Sequence, residues 1–210
     1  MKKLSLFPTE VIEDFIDEEF RLELLRICDK HLEGRQDSRL IPDDPVVGRS
    51  TYESYLEVYD DIMNEPAIKL LYEKLKSTYV PALFEGRGEV VSQNKTFLTS
   101  KYDEDDFFDP AKWHVFFTDM SKGCSLDKHW HTGNPLTGII YLECDEDVPP
   151  LTLYEPRPWA QILEHYNGMK KEINLSAETG KLLLWDSFGL MHGVKEMTSD
   201  GSRKTLVFGL

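Results

Sequence analysis

The run Asp127-Lys128-His129-Trp130-His131 places two histidines two residues apart, with a carboxylate two residues before the first. Successive side chains of a β-strand point to opposite faces. Asp127, His129 and His131 therefore share one side if this run is a strand, and Lys128 and Trp130 take the other. Two imidazoles side by side are half of a metal site. A third histidine, His192, follows 63 residues after His129, and Arg203 follows His192 by 11. Three protein ligands leave coordination positions open, as a catalytic metal requires. Imidazole suits iron, zinc, copper and nickel, so the ligand types alone do not choose the metal.

Arg203 opens the closing apolar run Arg203-Lys204-Thr205-Leu206-Val207-Phe208. Arg203 and Thr205 are two apart and share a face, which the strand phase assigns to the interior. A buried guanidinium needs an anionic partner. Its planar fork matches a carboxylate, and a threonine hydroxyl can add a further hydrogen bond. A dicarboxylate reaching from the metal to Arg203 satisfies both ends. His31, His114 and His165 are read instead as surface or packed histidines.

The elements that must position these residues follow from periodicity. Leu4 to Ile16 reads as an extended entry. Asp17-Glu18-Glu19 opens a helix, with Phe20, Leu24 and Ile27 on one stripe, Leu25, Cys28 and Leu32 beside it, and Gly34 as its stop. Asp37 to Ser50 reads as loop. A second helix is predicted with Asn64 as N-cap and Pro66 in its first turn; Ile68, Leu71, Leu75 and Tyr79 form its stripe, and Pro81 ends it. After Gly88 short apolar runs alternate with turn signals: 89–91, 95–98, 114–117, 136–142, 151–154, 181–185 and 204–208. Asp103 to Asp106 is a surface loop, and Ala160 to Tyr166 a short helix or lid. The predicted architecture is mainly β with flanking helices: a jelly roll, cupin-like, in one domain spanning 1–210. Residues 1–88 form a helical part packed on a β-rich core of 89–210.

The bulk numbers exclude some functions. With 24 basic and 38 acidic side chains the net charge is -14, which repels phosphate backbones and disfavours nucleic-acid binding. No apolar run reaches the length of a membrane span, and Glu10, Glu13 and Asp14 arrive too early for a signal peptide. Three cysteines without CxxC spacing argue against a disulfide framework and for a reducing cytoplasm. The apolar stripes of the N-terminal helices can support a homodimer or simply cover the barrel.

These features resemble the 2-oxoglutarate and iron(II)-dependent dioxygenase superfamily, in particular a branch of bacteria and bacteriophages with an HxH…H motif. The residues that carry the resemblance are Leu6-Phe7-Pro8-Thr9, His129 to Gly133, Leu136 to Glu143, Leu153 to Pro158, Gly180 to Trp185, His192-Gly193-Val194 and Gly201-Ser202-Arg203. The resemblance implies a double-stranded β-helix and a metal held by His129, His131 and His192. It implies Fe(II) as cofactor, with 2-oxoglutarate and O2 as co-substrates. The far carboxylate of 2-oxoglutarate would meet Arg203, with Thr205 beside it. Tyr141 becomes a candidate co-substrate contact or a packed core tyrosine. Arg157 faces the substrate mouth or makes a structural ion pair.

One departure from the superfamily pattern matters. His131 stands where a carboxylate is usual, which leaves the site one charge more positive. Asp127 can orient a ligand imidazole by hydrogen bonding to it, or replace His131 as ligand. The implied activity is hydroxylation of a small molecule or a protein side chain, in the cytoplasm, or the host cytoplasm for a bacteriophage protein. Two other readings stand beside it. Gly123 followed by His129-x-His131 imitates the first cupin motif, although the glutamate expected after His131 is missing. A non-catalytic jelly roll with a relic metal site is the third.

Overall fold

The computed structural model describes residues 1–6, 9–38, 45–52, 55–84, 113–129, 131, 136–154, 172–186 and 190–210. Among them the extended entry is a hairpin, β1 (Lys2–Leu6) and β2 (Thr9–Phe15). Helix α1 (Glu18–Leu32) starts where the sequence predicts. The Asp17 carboxylate accepts from the main-chain N–H groups of Glu19 at 2.9 Å and Phe20 at 3.2 Å, satisfying two orphan donors of the first turn. The predicted stripe is buried, with Leu25 packed at its edge. Gly34 turns the chain out of the helix at φ 73.

Three expectations for the next segment need correction. The stretch read as loop between Asp37 and Ser50 carries two short strands, β3 (Asp37–Ser38) and β4 (Gly48–Ser50). They are too short for a periodic signal, and their pairing onto the sheet supplies the order. Asn64 is not an N-cap. It is the last residue of α2 (Tyr55–Asn64), where no element is foreseen. The N-cap of α3 (Pro66–Lys74) is Glu65, extended at ψ 131 because the following proline pushes it out of the helical region. Pro81 does not end the helix either. A π-helical turn, Leu75–Tyr79, follows α3, and α4 (Val80–Phe84) restarts with Pro81 in its first turn, where a missing N–H costs nothing.

The strands of the second half are β5 (His114–Met120), β6 (Leu126–His129), β7 (Leu136–Cys144) and β8 (Leu151–Tyr154). They continue as β9 (Glu172–Leu175), β10 (Lys181–Asp186), β11 (Met191–Val194) and β12 (Arg203–Gly209). The predicted runs at 89–91 and 95–98, the acidic loop, the 160–166 segment and Arg157 lie outside the described residues. An eight-stranded sheet runs β1-β2-β10-β7-β12-β5-β4-β3, and a four-stranded sheet runs β6-β11-β8-β9. The pairing is antiparallel throughout the described strands. This is the mainly β, jelly-roll architecture with flanking helices. The N-terminal part contributes strands as well as helices, since β2 pairs with β10 and β4 with β5.

Alternation sorts the large sheet into two cores. Leu136, Ile140 and Leu142 of β7 pack with Leu182, Leu184 and the helices. Ile139 and Tyr141 pack on the other face with Leu183 and Trp185, towards the small sheet. Arg21 fastens α1 to this frame: it donates to the Leu142 carbonyl at 2.5 Å while its other nitrogens bind Glu18. The space between the two sheets holds the site.

Candidate metal centre and co-substrate cavity

Pairing brings the distant histidines together. β6 lies beside β11 with His129 directly opposite His192. The connections flanking these strands are tied to each other: Gly123 N–H donates to Met197 O at 2.8 Å, and Met197 N–H donates to Cys124 O at 2.9 Å. His131 stands two residues past His129, beyond the described end of β6, and its ring still meets those of His129 and His192. One nitrogen from each of the three rings lies within 4.8 Å of the others. The facing Nε2 atoms of His131 and His192 are 3.2 Å apart. Ring nitrogens about 2.1 Å from one ion at tetrahedral or octahedral angles sit roughly 3.0–3.4 Å apart, so this spacing fits a shared metal. The Nδ1–H of His129 donates to the Asp127 main-chain oxygen at 2.8 Å, which turns Nε2 towards the cluster. The Asp127 side chain is exposed, and the three-histidine cluster does not include it.

Burial favours the neutral form of His131 and His192. It pushes the His131 pKa down to about 4, with the nearby His129 and His114 charges adding to the effect. His192 is held well below its ordinary value by burial first and by the other two histidines second. Neutral imidazole is the metal-binding form. For folding the sign is clear. The unfolded chain protonates these rings near pH 6.5, and folded His131 does so only near pH 4. Metal-free protein therefore loses stability as pH falls across that window. The expected result is a drop in melting temperature between pH 7 and pH 5 that is smaller in His131→Gln; an equal drop in both would contradict the assignment.

Gly193 permits the close strand approach. A Cβ there would lie 2.8 Å from the Leu126 carbonyl oxygen, on the strand that carries His129. Gly193→Ala should displace β6 and weaken iron(II) binding by about tenfold, as supporting changes around metal ligands do, with all three histidines intact. Anaerobic iron titration checks this, and unchanged affinity would refute it.

One cavity of about 370 Å³ is lined by all three histidines and by Arg203 and Thr205. Arg203 is only 2% exposed, yet its Nε and Nη2 have no hydrogen-bond partner among the described residues. Its Nη1 meets only the Met120 sulfur, at 3.3 Å. A buried guanidinium with two idle donors is costly, and a carboxylate would satisfy them. Thr205 faces the same cavity, its hydroxyl 2.6 Å from that of Thr118. Tyr141 is fully buried with an unpartnered hydroxyl, and its ring centre is 5.0 Å from the guanidinium carbon of Arg203. Burial raises its pKa, and Arg203 opposes that rise. These observations fit a metal held by the histidines and a dicarboxylate co-substrate held at its far end by Arg203.

Sequence reasoning missed other cavity residues. His114, set aside as unremarkable, lines the cavity, as do Phe116, Thr137 and Trp185. The available signal was alternation in β5, which puts His114, Phe116, Thr118 and Met120 on one face. His31 lies in α1, its ring stacked at 6.3 Å on Phe117 on the helix-facing side of the sheet. His165 lies outside the described residues.

The fold and this cavity define a jelly-roll protein with a three-histidine group able to hold a metal ion. Residues 111–209, just under half of the chain, match the model of a family described as "Putative 2OG-Fe(II) oxygenase". No curated protein sequence matches the chain. Among solved structures, the non-heme alpha-ketoglutarate-dependent epimerase SnoN from nogalamycin biosynthesis is 12% identical with a TM-score of 0.53, covering 94% of this chain and 76% of that one. HygX from Streptomyces hygroscopicus, solved with iron bound, is 12% identical with a TM-score of 0.50, covering 96% and 80%. A Pseudomonas putida prolyl-4-hydroxylase is 12% identical with a TM-score of 0.47, covering 95% and 86%. SnoN and HygX share the fold of this chain.

Proposed function

We propose that this protein is an iron(II)- and 2-oxoglutarate-dependent hydroxylase. It inserts one oxygen atom of O2 into a substrate C–H bond and places the other in succinate, with release of CO2. The observation that carries this reading is Arg203, a buried guanidinium with idle donors in the same cavity as three clustered imidazoles. His129, His131 and His192 would hold the iron, and Arg203 and Thr205 the distal carboxylate of 2-oxoglutarate, with Tyr141 against the arginine. Iron bound there supplies the activation of O2 coupled to oxidative decarboxylation of the 2-oxo acid.

The protein's own groups do the rest. Three neutral imidazoles leave the charge of a divalent ion uncompensated, and Arg203 adds another cation, so the cavity favours a dianionic co-substrate. Apolar walls, Ile139 and Val207 among them, exclude water from the reacting groups. The paired Thr118 and Thr205 hydroxyls fix the distal carboxylate end. The chain is read as one cytoplasmic domain. An oxygen electrode tests the proposal: iron-loaded protein should consume O2 on addition of 2-oxoglutarate and not on addition of succinate. No 2-oxoglutarate-dependent uptake would favour the cupin-like or relic-site readings.

A further inference from the structure

The inner face of the large sheet is crossed by rows of paired residues. Arg203 and Met120 form the row at one end. Six residues along β12, or about 20 Å at strand spacing, Gly209 pairs with Thr137, and Thr137 pairs with Trp185. Both Thr137 and Trp185 line the cavity, and each is 1% exposed. The Thr137 hydroxyl and the Trp185 indole N–H both lack a hydrogen-bond partner among the described residues. The Trp185 ring meets His192 edge-on at 5.3 Å. The idle pair is therefore at the metal end of the cavity, far along the sheet from the arginine. Buried polar atoms without partners are rare in native proteins and call for an occupant.

We infer that Thr137 and Trp185 recognise the substrate, and that it is an uncharged small molecule with a neutral donor-and-acceptor group, such as a carboxamide, on an apolar frame. The inference rests on the hydroxylase reading for its claim that the occupant is substrate. The indole can only donate, which calls for a carbonyl-type acceptor. The threonine hydroxyl can accept the adjacent N–H. A carboxamide offers both groups side by side. Among the described residues lining the cavity there is no carboxylate, and Arg203 is the one permanent cation. Among these described residues a charged substrate group would meet no opposite charge beyond those assigned to the metal and the co-substrate. Tyr52, 40% exposed and edge-on to Phe116 at 5.1 Å, adds an aromatic mouth suited to an apolar frame.

The test uses the full chain loaded with zinc(II) and 2-oxoglutarate, and benzamide as probe. The four tryptophans give separate indole N–H signals in nitrogen-15 spectra, and Trp185→Phe assigns the one that matters. Benzamide should shift the Trp185 signal saturably while 2-oxoglutarate stays bound. Thr137→Val, which keeps shape and removes the hydroxyl, should weaken benzamide by at least about tenfold, and Thr137→Ser should restore it. Benzoate and benzylammonium, similar in size and charged, should leave the signal in place. The inference is overturned if benzamide causes no shift, if Thr137→Val binds it as wild type does, or if benzoate binds equally well. Displacement of benzamide by 2-oxoglutarate would also overturn it, by giving the pair to the co-substrate. Calorimetric titration of 2-oxoglutarate alone keeps the two readings apart. Its failure to bind would sink the hydroxylase reading while benzamide still reports on the Thr137–Trp185 pair.

Discussion

Alanine in place of His192 should lower iron(II) affinity by at least about a hundredfold, because losing a ligand costs more than the roughly 10–100-fold typical of losing its support. His192 is the most buried of the three imidazoles and stands opposite His129 across the β6–β11 pairing, so its removal leaves two ligands with nothing to close the set. His129→Ala and His131→Ala should fall in the same range. Asp127→Ala should keep nearly full affinity, since Asp127 reaches His129 through its main-chain oxygen, which the substitution retains. Anaerobic iron titration of the four variants reads the result. If His131→Ala bound iron as wild type does while Asp127→Ala did not, the second ligand would be the carboxylate. The site would then carry the usual charge of the superfamily.

Arg203→Ala should weaken 2-oxoglutarate binding by about 2–5 kcal/mol, the range for truncating one partner of a buried charge pair. An exposed pair would be worth far less, and the 2% exposure of Arg203 makes the difference. Iron affinity without co-substrate should hardly change, because the arginine is not a ligand. Arg203→Lys should recover part of the loss, since an ammonium keeps the charge but cannot form the planar fork. Calorimetric titration into anaerobic, iron-loaded variants measures all three. Equal affinity for wild type and Arg203→Ala would remove the main support for a 2-oxoglutarate enzyme.

The parts of this site that were legible in the sequence are those governed by strand alternation. The two-residue step from Arg203 to Thr205 puts both on one face of β12, whereas His131 lies past the described end of β6 and joins His129 without being part of that strand. The apolar runs that became β7, β8, β10 and β12 stand out because both their faces are largely buried. Long-range pairing is not legible in this way. Nothing local in residues 37–50 announces two short strands, because β4 is held by β5 and β3 by β4. The break between α2 and α3 at Glu65 and the continuation through Pro81 depend on one residue's backbone and one π-turn, below the resolution of a stripe of apolar positions. Thr137 and Trp185 are ordinary core residues in the sequence. Only the β7–β10 register sets them side by side.

Succinate formation is the most direct measurement of the central claim. Wild-type protein with iron(II), 2-oxoglutarate and O2 should form succinate with one CO2 per 2-oxoglutarate consumed. Turnover should be slow without the prime substrate and absent in His192→Ala. Succinate at the background level of free iron, in protein shown to bind iron and 2-oxoglutarate together, would contradict the account.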